Sequence, residues 1–176
     1  MAKIFFAGIK HSGKTRMAKL VSDMIAAECS DADALALPLL GGLTVREFYR
    51  EYGKNAFMEK EYKAVRNYAD SHSSFILSLG GGASDNARLR DYLKTAGKVV
   101  YLRRNEEDML PVILKDGIPP FLDKDDPALS FHKLYMERDR KYLDMADLVL
   151  ELGPYGDKEE TAERILEALK ENGYVK

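Results

Sequence analysis

The stretch Gly8-Ile-Lys-His-Ser-Gly-Lys-Thr15 satisfies G-x-x-x-x-G-K-[ST] at each fixed position. Its flanks give the match its meaning. Ala2-Lys-Ile-Phe-Phe-Ala7 reads as a short buried strand, and Arg16 to Ala27 sets Met17, Leu20, Val21, Met24 and Ile25 at helical spacing. A strand, a glycine-bounded turn and a helix N-terminus form an anion cradle, where backbone N–H groups and the positive end of the helix dipole converge. Lys14 adds a cation for the outer phosphates, and the Thr15 hydroxyl can complete the shell of a Mg²⁺ ion. Lys10, His11, Ser12, Gly13, Lys14 and Thr15 are therefore the expected nucleotide-binding residues, with a nucleoside triphosphate as the ligand.

Outward from this loop, apolar strands alternate with amphipathic helices. Ser74–Leu79, Lys98–Leu102 and Leu148–Leu152 read as strands; Val45–Asp70, Asn86–Thr95, Leu129–Met145 and Lys158–Glu171 read as helices. Such alternation predicts an α/β fold of three layers, a parallel sheet flanked by helices, in one domain over residues 1–176. Ala34-Leu-Ala-Leu-Pro-Leu-Leu40 fits a strand or part of a helix, with Pro38 favouring a sheet edge or a strand end.

The bulk properties exclude several classes. With 45% hydrophobic and 32% charged residues the chain has the composition of a soluble globular protein, and a net charge of −2 supplies no basic field for nucleic acid. Lone Cys29 can form neither an internal disulfide nor a thiolate metal cluster. No apolar run reaches membrane-spanning length, and Met1 leads into a strand without a signal-peptide core. A cytoplasmic monomer without nucleic-acid or membrane partners is expected.

Several later segments carry a resemblance. Ser78-Leu-Gly-Gly-Gly-Ala83, Asp31-Ala-Asp33, Thr44-Val-Arg-Glu-Phe48 with Gly53, Phe57 and Glu61, and Glu137-Arg138 with Tyr142 and Ala146-Asp147 follow the pattern of one family. The chain resembles the shikimate kinase family, small P-loop kinases built like nucleoside monophosphate kinases, over nearly its whole length. The resemblance implies ATP-dependent phosphorylation of a small hydroxylated acceptor, most closely shikimate, with Mg²⁺ as cofactor and a place in aromatic amino acid biosynthesis. It also implies a small lid over about residues 111–127 and an acceptor-binding helical region over about residues 31–65.

Chemistry and resemblance together nominate the acceptor site. Gly80, Gly81 and Gly82 follow a strand at the carboxyl edge, where open parallel sheets place ligands, and bare backbone lets a small polar acceptor lie against the chain. Arg138 matches the arginine that grips the acceptor's carboxylate, and its fork of donors suits that task, yet 137–141 is a charge run of the kind that marks solvated helix faces. By resemblance Asp31 assists Mg²⁺ through water, while Asp33, catalytic with Lys14, binds the acceptor and takes its proton. Both aspartates must follow a strand to do so. Ala27-Glu-Cys-Ser30 is a poor strand, and if the strand begins after Asp33, Asp31 is a turn residue. Glu61 reads equally as an exposed helix residue. His72 and His132 lack partners at metal-ligand spacing and are expected at the surface.

Three family arginines are absent: Met58, Val112 and Pro119 occupy their places. Lys115, Lys124, Arg103 and Arg104 are the candidate substitutes for the cation beside the transferring phosphate. Two alternatives stay open beside shikimate phosphorylation. One is a kinase of the same fold acting on another polyol, sugar acid or nucleotide; the other is a nucleotide-binding protein with little transfer activity.

Overall fold

The computed structural model describes residues 1–176. β1 (Lys3–Ala7) runs into the glycine-bounded loop and α1 (Lys14–Met24) leaves it. Then come β2 (Cys29–Asp31), α2 (Ala32–Ala36), α3 (Val45–Ser71), β3 (Phe75–Ser78) and α4 (Ala87–Ala96). The chain ends with β4 (Lys98–Arg103), α5 (Glu106–Leu114), α6 (Pro127–Met145), β5 (Leu148–Glu151) and α7 (Lys158–Glu171). Every strand pair is parallel, in the order β2-β3-β1-β4-β5.

The period-two alternation of the strands builds the layers. Phe5, Ala7, Phe75, Leu77, Val99 and Tyr101 turn to one face and pack with Val65, Leu89, Met109 and Phe131 from α3 to α6. Ile4, Phe6, Ile76, Val100 and Leu102 turn to the other and meet Met17, Val21, Ile165 and Leu169 from α1 and α7. This is the expected three-layer arrangement. Neighbouring strands β1 and β3 lead to helices on opposite faces, α1 and α4, so their following loops diverge. The crevice between them opens at the carboxyl edge of the sheet.

Four segments refine or depart from the sequence expectations. The second strand is Cys29–Asp31, three residues paired with β3 as Cys29↔Ile76, Ser30↔Leu77 and Asp31↔Ser78. Of the two forms open to the apolar run after it, strand or helix, it takes the helical one: it forms α2 and a 3₁₀ turn over Leu37–Leu39, and its Ala36 and Leu40 pack with Phe48, Phe57 and Ala64. The long helix expected over Val45–Asp70 begins with a capping box, Thr44 with Glu47, but breaks at Gly53, whose φ of 82° belongs to the left-handed region. Finally, α5 occupies Glu106–Leu114, so residues 111–114 of the expected lid are helical, with Pro111 inside the helix.

Candidate active site

The glycine-bounded loop is shaped by two left-handed residues, His11 at φ 70° and Gly13 at φ 95° immediately before α1. Lys14, 7% exposed, turns back to donate from Nζ to the Ile9 carbonyl at 3.1 Å. Burial lowers its pKa to about 8, against the pull of Asp33 and Asp31, which favour the ammonium form. Lys10, His11, Gly13, Lys14 and Thr15 line a cavity of about 330 Å³ together with Asp31, Asp33, Gly80 and Gly81. Ser12 is instead buried, 1% exposed. The His11 imidazole is held below its usual pKa by burial and by Lys10 and Lys14.

β2 brings both aspartates to this cavity. Its parallel pairing with β3 puts Asp31 level with Ser78, at the carboxyl ends of the two strands. Asp31 Oδ2 accepts from the Thr15 hydroxyl at 2.8 Å, while Oδ1 accepts from the Asp33 and Ala34 N–H groups at 3.0 and 3.3 Å and so caps α2. Asp31 is thus a turn residue and a wall of the cavity at once. Ser78 Oγ lies 3.0 Å from Thr15 Oγ1. Asp33 projects one step further: its Oδ1 would stand 3.2 Å from a Cβ placed on Gly80. Partial burial and the Asp31 charge raise its pKa, against the effect of Lys14 and Lys10.

A second cavity, about 670 Å³, adjoins the first and is walled by Gly80, Gly81, Gly82, Arg138, Lys54, Glu61 and Phe121. A methyl group on Gly81 would sit 2.8 Å from the Lys10 amide nitrogen, so only glycine lets the two loops touch. Arg138 donates to the Gly81 carbonyl at 3.1 Å and to Asp85 at 3.2 Å. The 137–141 charge run is therefore divided. Glu137 and Arg140 are exposed, Arg138 turns to the cavity, and Asp139 is buried under Tyr101 and Arg103 at 2.7 and 2.8 Å. Asp85, which belongs to none of the sequence motifs, gathers Lys54, Arg138 and Lys141 at 2.8, 3.2 and 2.9 Å. Partial burial alone would raise its carboxyl pKa; these three cations hold it far below the usual range. The wall keeps a surplus of positive charge.

Glu61 is not exposed. It is 3% accessible, accepts from Asn86 Nδ2 at 2.9 Å, and points toward Gly80. The signal was present: Phe57, Glu61, Ala64 and Val65 fall on one stripe of α3, and all four are buried. Burial lifts the Glu61 pKa to about 7, despite the Asn86 hydrogen bond that favours the anion. The folded state then holds this proton more tightly than the unfolded chain, so Glu61 costs stability increasingly as pH rises from the ordinary carboxylate range through 7. Glu61→Gln is expected to gain about 3 kcal/mol over wild type between pH 5 and pH 8. Urea denaturation at both pH values checks this, and a variant that loses ground toward pH 8 contradicts it.

The remaining candidates lie elsewhere. Lys115 and Lys124 are exposed and line neither cavity. Arg103 is spent on Asp139 and Glu151, and Arg104, 5% exposed, donates to the Ser12 and Gly153 carbonyls. His72 pairs with Glu28 at 3.4 Å and His132 with Glu106 at 2.8 Å. No helix is long and apolar enough to cross a membrane.

Comparison with known proteins adds independent findings. The family model described as shikimate kinase matches residues 10–170. The shikimate kinase of Burkholderia lata is 31% identical over 152 residues, covering 86% of this chain and 82% of its own. That of Psychrobacter sp. is 28% identical and covers 98% of this chain and 94% of its own. Among solved structures, shikimate kinase from Acinetobacter baumannii in complex with shikimate superposes with a TM-score of 0.86 at 26% identity, covering 98% of this chain and 94% of that one.

Proposed function

Since this chain belongs to the shikimate kinase family, we propose that it transfers the γ-phosphoryl group of ATP to a hydroxyl of shikimate. The observation that supports this reading most directly is the shared wall of the two cavities. Lys10, Asp33, Gly80 and Gly81 line both, so a polyphosphate in one and a small acceptor in the other meet at Asp33.

In this reading Lys14 and the amides of residues 10–15 hold the β- and γ-phosphates. Thr15 Oγ1 and Asp31 Oδ2, 2.8 Å apart, are an oxygen pair of the kind that suits Mg²⁺, which is held by one or two protein oxygens together with phosphates and water. Thr15 would hold the ion directly and Asp31 through water; when bound, it supplies positive charge to the phosphate oxygens. The acceptor's carboxylate lies against Arg138. Lys54, one helical turn before Met58 on the same face of α3, supplies a second cation to that wall where the family arginine is missing. Asp33 accepts the hydroxyl proton as the oxygen forms its bond to the γ-phosphorus and the bond to the bridging oxygen of ADP breaks. Residues 111–127 act as a lid that excludes water, and residues 31–65 as the acceptor-binding region, all within one domain over 1–176.

The test is ADP release measured with shikimate, related hydroxy acids, sugars and nucleotides. Shikimate is expected to give the highest kcat/KM. A higher value with an uncharged polyol overturns the acceptor assignment, and nucleotide binding without any turnover overturns kinase activity. In the same assay Arg138→Ala is expected to raise the KM for shikimate about 30-fold or more, a loss of roughly 2 kcal/mol of charge-assisted binding, with the KM for ATP little changed. Equal changes in both would remove Arg138 from the acceptor site.

A further inference from the structure

Charge spreads over the oxygens of a phosphoryl group in flight, and a cation placed there speeds transfer by orders of magnitude. The family's lid arginine for this purpose is Pro119 here. We infer that Lys10, inside the phosphate loop, is the catalytic cation that replaces it. This inference rests on the kinase reading above, which uses the backbone of Lys10 but leaves its side chain without a chemical task.

Position singles Lys10 out. Of the four residues common to the donor and acceptor cavities, Lys10 alone is cationic. Lys14 borders only the donor cavity, whereas Arg138, Lys54 and Arg46 border only the acceptor cavity. The four substitutes suggested by sequence are exposed away from the seam or already engaged, as described above. Lys10 takes part in none of the ion pairs of the molecule, so no carboxylate holds its ammonium away from a ligand.

Two contacts aim it. Its backbone is pressed against Gly81 so closely that a Cβ there would lie 2.8 Å from Lys10 N and Cβ, which fixes the stem to the acceptor loop. Its Nζ lies 5.4 Å from the centroid of the Phe121 ring, on the segment two residues past Pro119. The cation has moved from the lid to the phosphate loop, and the lid supplies an aromatic face that holds it over the seam. Phe121 is thus a positioning residue and Lys10 the one that touches the phosphoryl oxygens.

Steady-state kinetics of the full-length enzyme with ATP, Mg²⁺ and shikimate decide the matter. Lys10→Met is expected to lower kcat by about 10²–10³-fold while the KM values for ATP and shikimate shift less than about threefold, because the contact forms fully only in the transition state. Lys10→Arg should recover most of the rate, and Phe121→Leu should show a smaller loss in kcat. Equilibrium binding of ADP to Lys10→Met should match wild type, which reports a folded site. A Lys10→Met enzyme within twofold of wild-type kcat overturns the inference, as does a loss confined to the KM for ATP. Failure of the parent reading looks different. If wild type turns over another hydroxyl compound instead of shikimate, the same variants are compared on that compound. If wild type turns over none, both readings fall.

Discussion

Lys14→Ala is expected to reduce kcat/KM for ATP by at least about three orders of magnitude, the scale associated with losing a cation at a transferring phosphate. The side chain is 7% exposed, and the protein partners of its ammonium are one carbonyl hydrogen bond and the charges of Asp31 and Asp33. Holding a buried ammonium ready has a measurable signature. Its pKa lies near 8, so the side chain carries its charge below that value and loses it above. Polyphosphate binds the protonated form, hence KM for ATP should climb about tenfold per pH unit once the pH exceeds 8. The stability sign is the reverse of a helpful ion pair. The unfolded chain binds this proton more tightly, so the charged lysine weakens the fold at neutral pH, and Lys14→Ala should melt no lower than wild type. A variant that retains ATP turnover, or a flat alkaline profile of KM, would remove Lys14 from the donor site; a variant that melts far lower would mean that Lys14 supports the fold itself.

What could be read from the chain was what local chemistry dictates. Gly8 to Thr15 required a strand before it and a helix after it, and β1 and α1 stand there. β3, β4 and β5 are continuous apolar runs, the mark of strands in a covered parallel sheet. β2 had no such mark. Cys29-Ser-Asp31 is short and polar, and it is a strand because β3 offers it a free edge, a fact about residues 76–78 rather than 29–31. The more apolar Ala34–Leu40 was the better strand on local grounds, but its neighbours in space are Phe48, Phe57 and Ala64, which take a helical face. Non-local pairing decided the position of both aspartates.

The same division runs through the site. Gly80 to Gly82 were legible because three successive glycines have few purposes apart from close approach, and the Lys10 backbone lies against them. Arg138 looked like part of a solvated charge run, yet Asp85, 53 residues away in sequence, draws it inward. A carboxylate such as Glu61 is usually exposed, but its stripe on α3 sets it with Phe57 and Val65. Lys10 carried no signal beyond its place in the loop; its bridging position depends on where β3 sets down Gly81. Long-range partners therefore decided the ionic half of the site, and sequence periodicity its scaffold.

Asp33→Asn is expected to lower kcat by about 10²–10⁴-fold, the usual contribution of a positioned base, with a small change in the KM for shikimate. Asparagine keeps the shape beside Gly80 but cannot take the hydroxyl proton. In wild type the base must be ionised, and burial together with Asp31 raises its pKa above the ordinary range. Rate should therefore fall as the medium is acidified through that raised value, and this limb should vanish in Asp33→Asn. Glu61 titrates nearby at about 7 and would blur the assignment, so the Glu61→Gln enzyme serves as the background in which the limb must survive. A second consequence is independent of turnover. Asp33 is the charge that most favours protonation of Lys14, so its removal should move the alkaline rise in KM for ATP to below pH 8. Both shifts together identify one carboxylate standing between donor and acceptor. An Asp33→Asn enzyme with full kcat would leave the acceptor proton without a protein base, whereas loss of kcat with an unmoved ATP profile would place Asp33 too far from Lys14 to share its cavity.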